Sequence, residues 1–109
     1  MENSPINEAL GLLCDNLPTL RSMLYLTQQD LAMQIGTSRQ AIINFEHKEK
    51  KLTKSMLISI ITYFSLRGRS ATFLKTLGLY RNPYINSLGF DEKLCDYIIN
   101  NNTMEKKDE

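Results

Sequence analysis

The sequence has no long apolar run, no tryptophan, and only one histidine and two cysteines among its 109 residues. A membrane-spanning helix needs roughly 18 or more consecutive apolar residues, so we expect none in this chain. The N-terminus also lacks the basic start and apolar core of a signal peptide. These absences predict a cytoplasmic protein with no membrane partner.

Groups that support metal or catalytic chemistry are equally scarce. His47 stands in a charged stretch without cysteines or carboxylates at ligand spacing, so we expect no metal site. Cys14 and Cys95 lack a CxxC partner; they could form a disulfide, but two reduced core thiols are the favoured interpretation. The sequence also has no glycine-rich phosphate loop. We therefore expect no cofactor and no enzymatic activity.

Helical periodicity runs through most of the chain. Apolar residues recur at spacings of three and four, and no stretch alternates as a half-buried strand would. Hydrophobic residues make up 42% of the chain and charged residues 23%, which is ordinary for a soluble globular protein. At this length the pattern predicts one all-α domain with four to six helices.

The N-terminal part predicts two helical segments. Ser4 and Pro5 are typical of an N-cap and a first helical position, and apolar residues then follow at helical spacing. Pro18 is expected to end this helix or to begin the next one. Residues 19–26 form the second segment.

Residues 27–46 contain the strongest local signals. Thr27 is typical of an N-cap, and Gly36 predicts a helix end because glycine adopts the left-handed conformation without steric cost. Thr37 or Ser38 caps the following helix. Two short helices joined by one tight turn are the arrangement of a DNA-binding helix-turn-helix, in which the second helix lies in the major groove.

The second of these helices, residues 38–46, has two distinct faces. Ala41, Ile42 and Phe45 are spaced as an inward face. Arginine, glutamine and asparagine side chains can hydrogen-bond base edges bidentately, and an exposed isoleucine can touch a thymine methyl. An ordinary solvated polar face is the alternative interpretation. The residues of the outward face are Arg39, Gln40, Ile43 and Asn44.

Positive charge is concentrated around this motif, although the whole chain carries only +1. Residues 21–81 contain ten basic and three acidic residues, a net charge of +7, whereas the segments before and after them carry −3 each. Binding to phosphates depends on local lysine and arginine density, so the neutral total does not exclude nucleic acid. A solvated basic surface is the alternative. The lysines that could reach phosphates are Lys48, Lys50, Lys51 and Lys54.

The C-terminal half predicts further helices. Thr53 begins an apolar, central helix, and Ser70 is expected to cap a short helix that ends at Gly78. Asparagine, proline, serine and glycine between residues 80 and 89 predict a loop. Asp91 is expected to cap a last helix, and residues 101–109 are expected to be a disordered tail.

Residues 20–64 resemble the Xre or Cro-type helix-turn-helix family, the family of the lambdoid phage repressors. The resemblance implies an all-α, five-helix repressor-like helix-turn-helix domain, here with an extra N-terminal helix and a C-terminal helical extension. It also implies a protein of bacterial or phage origin. The residues that match are Leu20, Arg21, Leu26, Thr27, Gln28, Leu31, Ala32, Ile35, Gly36, Ser38, Arg39, Ile42, Phe45, Glu46, Leu57, Ile60 and Ile61.

This resemblance divides the chain into an N-terminal helix (1–18), a DNA-binding core (19–66), a C-terminal extension (67–100) and the tail (101–109). It implies a structural ion pair between Arg21 and Glu46, and a phosphate contact from Gln28. The full predicted DNA-binding set comprises Thr27, Gln28, Thr37, Ser38, Arg39, Gln40, Ile43, Asn44, Lys48, Lys50 and Lys51.

The sequence departs from the family after Glu46. Many relatives have a glycine where Lys48 stands, and a lysine in the left-handed conformation costs about 1 kcal/mol. We therefore expect a turn of another shape after Glu46. The family's usual contact between the backbone of this turn and a phosphate is then in doubt.

The resemblance implies a regulator of transcription, a repressor in the first instance, that binds double-stranded DNA as a homodimer. Two recognition helices read more base pairs than one. The C-terminal extension is the expected dimerisation element, although its helices could instead only cap the core. The alternative function is an antitoxin or another protein-interaction module with a protein partner.

Overall fold

The computed structural model describes residues 4–49 and 53–101, and every regular element in this part of the chain is a helix. The all-α prediction is therefore confirmed. The predicted contacts of Lys50 and Lys51 and the predicted tail beyond residue 101 lie outside the described residues. The elements are α1 (Pro5–Met23), α2 (Gln28–Ile35), α3 (Arg39–His47), α4 (Lys54–Ser65), α5 (Gly68–Thr76), a 3-10 turn (Leu79–Arg81), α6 (Pro83–Ser87) and α7 (Glu92–Asn101).

Helix α1 continues through Pro18, so the expected helix end at this residue is wrong. A proline inside a helix costs about 3 kcal/mol, but Leu17 and Leu20 are both fully buried on either side of it. Burying each such side chain contributes about 1.5–3 kcal/mol, which offsets that cost. Consequently there is no separate N-terminal helix, and residues 19–23 are the last turns of α1.

Most of the predicted helix starts in the central region are confirmed. The Thr27 hydroxyl accepts a hydrogen bond from the Asp30 amide, and the Asp30 carboxylate accepts one from the Thr27 amide, which completes a capping box. Ser38, rather than Thr37, caps α3. Thr53 caps α4.

One core joins these helices. Helices α2 and α3 pack against each other, and α1 packs against both α3 and α4. Buried side chains from all four helices meet there, so the orientation of α3 depends on the whole domain. The fully buried members include Leu20, Leu31, Ile42, Leu57 and Ile61.

Two predictions in the C-terminal extension are wrong. Ser70 lies inside α5 rather than at its start; it is buried, and its hydroxyl donates to the Phe64 carbonyl at 2.6 Å. The expected loop at 80–89 is largely helical. Asn82 caps α6 and Pro83 occupies its first turn, so the Asn-Pro pair begins a helix instead of marking a loop.

The C-terminal extension packs back onto the N-terminal half of α1. Helix α6 contacts α1, and the Asn82 side-chain amide donates to the Pro5 carbonyl at 2.9 Å. Helix α7, capped by Asp91 as predicted, packs on α5. Cys14 and Cys95 are both buried and free, which confirms the favoured interpretation of reduced thiols.

Candidate nucleic-acid interface

The turn between α2 and α3 fixes the angle at which α3 leaves the body of the protein. Gly36 has φ 76° and ψ 39°, as the sequence predicts, and the Thr37 amide donates to the Ala32 carbonyl at 2.8 Å. Ala32 is fully buried at the contact between the helices. Its small side chain lets the two backbones approach closely.

Helix α3 buries one face and exposes the other. Ile42 and Phe45 are buried, whereas Arg39 and Gln40 in the first turn are exposed. Asn44 is half-buried, one turn further along the helix. Ile43, expected to be exposed, is also half-buried, so only part of its side chain is available to another molecule.

Gln40 and Asn44 form a hydrogen-bonded pair on this outer face. The Gln40 Nε2 donates to the Asn44 Oδ1 at 3.0 Å. This bond uses one of the two Gln40 donors and leaves the Gln40 Oε1 as an acceptor. An acceptor and a donor on one amide match the N6 and N7 atoms of adenine. The bond thus favours an orientation of the Gln40 amide that leaves both groups for a base.

Arg21, Gln28 and Glu46 form a cluster that ties three helices together. The Arg21 Nε donates to the Glu46 Oε2 at 2.7 Å and its Nη2 donates to Oε1 at 3.3 Å, so the expected ion pair is present. The Arg21 Nη1 also donates to the Leu26 carbonyl at 3.1 Å. The Glu46 side chain is only 4% exposed and that of Arg21 17%. The cluster therefore fixes the position of α3 relative to α1 and α2.

Gln28 belongs to this cluster as well. Its Nε2 donates to the Glu46 Oε1 at 3.0 Å, and the side chain is part-buried. The resemblance implies a phosphate contact for this residue. In the structure its amide connects the first residue of α2 to the last turn of α3, so any phosphate contact would be additional to this internal bond.

Lys48 adopts the left-handed conformation despite its side chain. Its φ is 57° and its ψ 35°, so the expectation of a differently shaped turn is wrong. Two bonds close the turn, because the Lys48 amide donates to the Phe45 carbonyl and the Glu49 amide to the Asn44 carbonyl. These two hydrogen bonds offset the cost of the left-handed conformation at Lys48.

The Lys48 ammonium also pairs with α1. Its Nζ lies 2.8 Å from the Asp15 Oδ1, and this hydrogen bond and the Asp15 charge raise the pKa of Lys48. Both side chains are about half exposed or more. An exposed pair of this kind is weak, so a phosphate could displace the carboxylate.

The hydroxyl groups of the predicted DNA-binding set have mainly local roles. The Thr27 and Ser38 hydroxyls each accept a backbone amide at the start of a helix. Thr37 is half-buried beside them. Each hydroxyl can still donate to a phosphate, because an accepted bond leaves its own proton free.

Two exposed residues that were not predicted to bind DNA lie near the start of α2. Tyr25, in the turn between α1 and α2, is 86% exposed. Arg69, from α5, donates to the Met23 carbonyl at the end of α1 at 3.4 Å. No local pattern indicates Arg69, since it is 46 positions away from its acceptor.

The described residues contain neither a metal-ligand cluster nor a membrane-spanning helix. Within 4–49 and 53–101 no three histidine, cysteine, aspartate or glutamate side chains are grouped to hold a metal ion. In the same ranges no helix has the length and apolar character needed to cross a membrane.

Two short helices joined at a left-handed glycine, with a polar outer face on the second, form a helix-turn-helix motif. Residues 19–67 match the family model for the helix-turn-helix of the Xre and Cro type, so the resemblance found in the sequence is confirmed over this segment. This is a family of DNA-binding regulators. No match to the chain was found among curated proteins or among solved structures.

Proposed function

We propose that the protein is a sequence-specific regulator of transcription, acting as a repressor, that binds double-stranded DNA with α3 in the major groove. The observation that supports this most is the outer face of α3. Arg39, Gln40 and Asn44 are presented there, while the opposite face is anchored by Ile42 and Phe45. Residues in the first turns of a recognition helix are those that reach base edges.

The two exposed side chains in the first turn of α3 have different chemical preferences. The Arg39 guanidinium suits the O6 and N7 acceptors of guanine, and the Gln40 amide suits adenine. Each such bidentate contact contributes about 1–3 kcal/mol to discrimination between bases. The half-exposed Ile43 adds an apolar contact to a thymine methyl. We therefore expect a half-site that contains neighbouring purines.

Phosphate contacts flank these base contacts. Thr27, Thr37 and Ser38 offer hydroxyls, and Lys48 offers a cation that only an exposed carboxylate occupies. Lys50 and Lys51 are proposed as phosphate contacts on sequence grounds alone. Because each cation displaces condensed counterions, affinity should fall steeply with salt.

A homodimer would present two recognition helices to one operator. The C-terminal extension supports this proposal through α7, where Tyr97 is 65% and Leu94 36% exposed while Cys95 is buried. A pair of α7 helices would cover these side chains. Two half-sites roughly 34 Å apart, one turn of DNA, would then be expected.

The alternative function is an antitoxin or another protein-interaction module. One observation favours it. An open groove beside α4 is lined by Ile58, Tyr63 and Leu66, of which Ile58 is 38% and Leu66 45% exposed. The residues that line the groove come from the end of α2 and from α4 to Arg67, and none comes from α3, so the two functions are compatible.

The test is selection of bound duplexes from a random pool, followed by fluorescence anisotropy on the enriched sequence. The proposal predicts an enriched motif with two related half-sites, bound more tightly than a scrambled duplex. Size-exclusion chromatography with light scattering measures the oligomeric state in parallel. An unenriched pool, with equal affinity for every duplex, would rule out sequence-specific binding.

A further inference from the structure

The turn before α2 contains an unusual residue. Tyr25 has φ 59°, one of two non-glycine residues with a positive φ among those described, and its side chain is 86% exposed. A left-handed backbone costs a residue with a Cβ roughly 1 kcal/mol or more. Because the ring is exposed, burial of apolar surface does not offset this conformational cost.

Backbone hydrogen bonds account for the shape of this turn. The Tyr25 amide donates to the Ser22 carbonyl at 3.1 Å, and the Leu26 amide donates to the Arg21 carbonyl at 2.8 Å. A glycine at position 25 would make the same bonds without strain. The tyrosine side chain is therefore not explained by the fold of the chain itself.

Arg69 brings a cation to the same turn. Its Nη1 donates to the Met23 carbonyl, two residues before Tyr25, and the side chain is exposed. This contact joins α5 to the end of α1. The turn that carries the exposed Tyr25 thus also binds the Arg69 guanidinium, and this corner of the molecule immediately precedes the first helix of the helix-turn-helix.

We propose that Tyr25 and Arg69 together bind a phosphate of the DNA backbone next to the major groove that α3 enters. This proposal rests on the proposed function. The first helix of a helix-turn-helix crosses the DNA backbone, and Tyr25 precedes its cap Thr27 by two residues, at most about 7 Å of chain. A guanidinium and a phenol hydroxyl both donate to phosphate oxygens. The nearby Asp30 carboxylate is held by the Thr27 amide.

The test is anisotropy with the selected duplex and with a scrambled duplex, at several salt concentrations. Arg69→Ala should weaken binding to both duplexes by about tenfold and reduce the slope of log affinity against log salt by about one. Tyr25→Gly should weaken both by a similar factor without changing the slope, because it removes no charge. Tyr25→Phe should weaken binding by a smaller factor, roughly threefold, since this variant lacks only the hydrogen bond of the hydroxyl.

Arg81→Ala is the matched control, because it removes one arginine from the C-terminal extension, where Arg81 pairs with Glu92 at 2.9 Å. This variant should change the affinity for DNA by less than twofold, and the slope of log affinity against log salt should stay the same. Thermal unfolding separates binding from folding: Tyr25→Gly should raise the midpoint by a few degrees, because strain is removed, while DNA affinity falls.

Unchanged affinity in both Tyr25→Gly and Arg69→Ala would overturn the inference. So would an affinity loss that accompanies a change of oligomeric state, since the corner would then contact a second copy or a protein partner. Arg39→Ala with Gln40→Ala tests the proposed function separately. If the Arg39→Ala, Gln40→Ala double variant loses its preference for the selected duplex while the Tyr25 and Arg69 variants bind normally, the proposed function stands and only the phosphate contact at Tyr25 and Arg69 fails.

Discussion

The helix-turn-helix (α2 and α3 with the end of α1) and the C-terminal extension both bury polar groups that hold their packing, but they differ in the side chains that they expose. In the former, Arg39 and Gln40 are exposed and the buried polar groups support α3. In the latter, the buried Ser65–Tyr80 hydrogen bond of 2.6 Å and the Asn82 bond to Pro5 hold the extension against the rest of the domain. Its exposed side chains include the apolar Tyr97. Under the proposed function, the first region recognises DNA, whereas the polar groups of the second hold the domain together.

The largest effect should come from the core that both regions share. Phe45→Ala on the buried face of α3 should lower the free energy of unfolding by about 3–5 kcal/mol, and Leu74→Ala in α5 by about 2–5 kcal/mol, because each removes a buried side chain. Urea unfolding followed by circular dichroism should show a single transition in both variants. Two separate transitions would mean that the extension folds independently, which contradicts a shared core.

The second effect distinguishes a buried ion pair from an exposed one. Glu46→Gln leaves the Arg21 guanidinium without its carboxylate and should lower the free energy of unfolding by about 2–3 kcal/mol. Glu92→Gln breaks the Arg81 pair, in which Arg81 is 77% exposed, and should lower it by less than about 1 kcal/mol. Equal effects in chemical denaturation would show that Glu46 has no special part in positioning α3.

A smaller effect is expected where the extension meets the N-terminus. Asn82→Ala removes the cap of α6 and the bond to the Pro5 carbonyl, and should lower the free energy of unfolding by about 1–2 kcal/mol. Amide hydrogen exchange should then increase in α6 and in the first turns of α1, but not in α3. Faster exchange confined to α3 would contradict the packing described above.

The last effect is absent at neutral pH and appears only in alkaline solution. Burial raises the pKa of both Cys14 and Cys95 from 9.0 to about 11. Because the unfolded thiols ionise first, their contribution to stability is complete below pH 9 and declines as the pH rises towards 11. The free energy of unfolding should therefore fall across this range. A variant with alanine at both positions should show a flatter profile, and identical profiles would argue against buried thiols.

The helix-turn-helix was predictable because its signals are local. Thr27, Gly36, Ser38 and Thr53 each act on a backbone within a few residues, so the sequence alone indicates where helices begin and end. The pairing of Arg21 with Glu46 came from the resemblance, since the two residues are 25 positions apart.

The remaining features were not predictable for three different reasons. Pro18 lies inside α1 because leucines on both sides are buried by other helices. Lys48 tolerates its left-handed backbone because the bonds of the turn compensate. The helical character of 79–87 was missed because an Asn-Pro pair is common both in loops and at helix starts.

The central claim is that the outer face of α3 recognises base sequence. The most direct measurement is the ratio of affinities for the selected and scrambled duplexes, in the wild type and in the Arg39→Ala, Gln40→Ala double variant, at one salt concentration. The account predicts that the variant loses most of this ratio, roughly a hundredfold, since two bidentate contacts are removed, while its affinity for the scrambled duplex falls far less. A ratio that is unchanged in the double variant would contradict it.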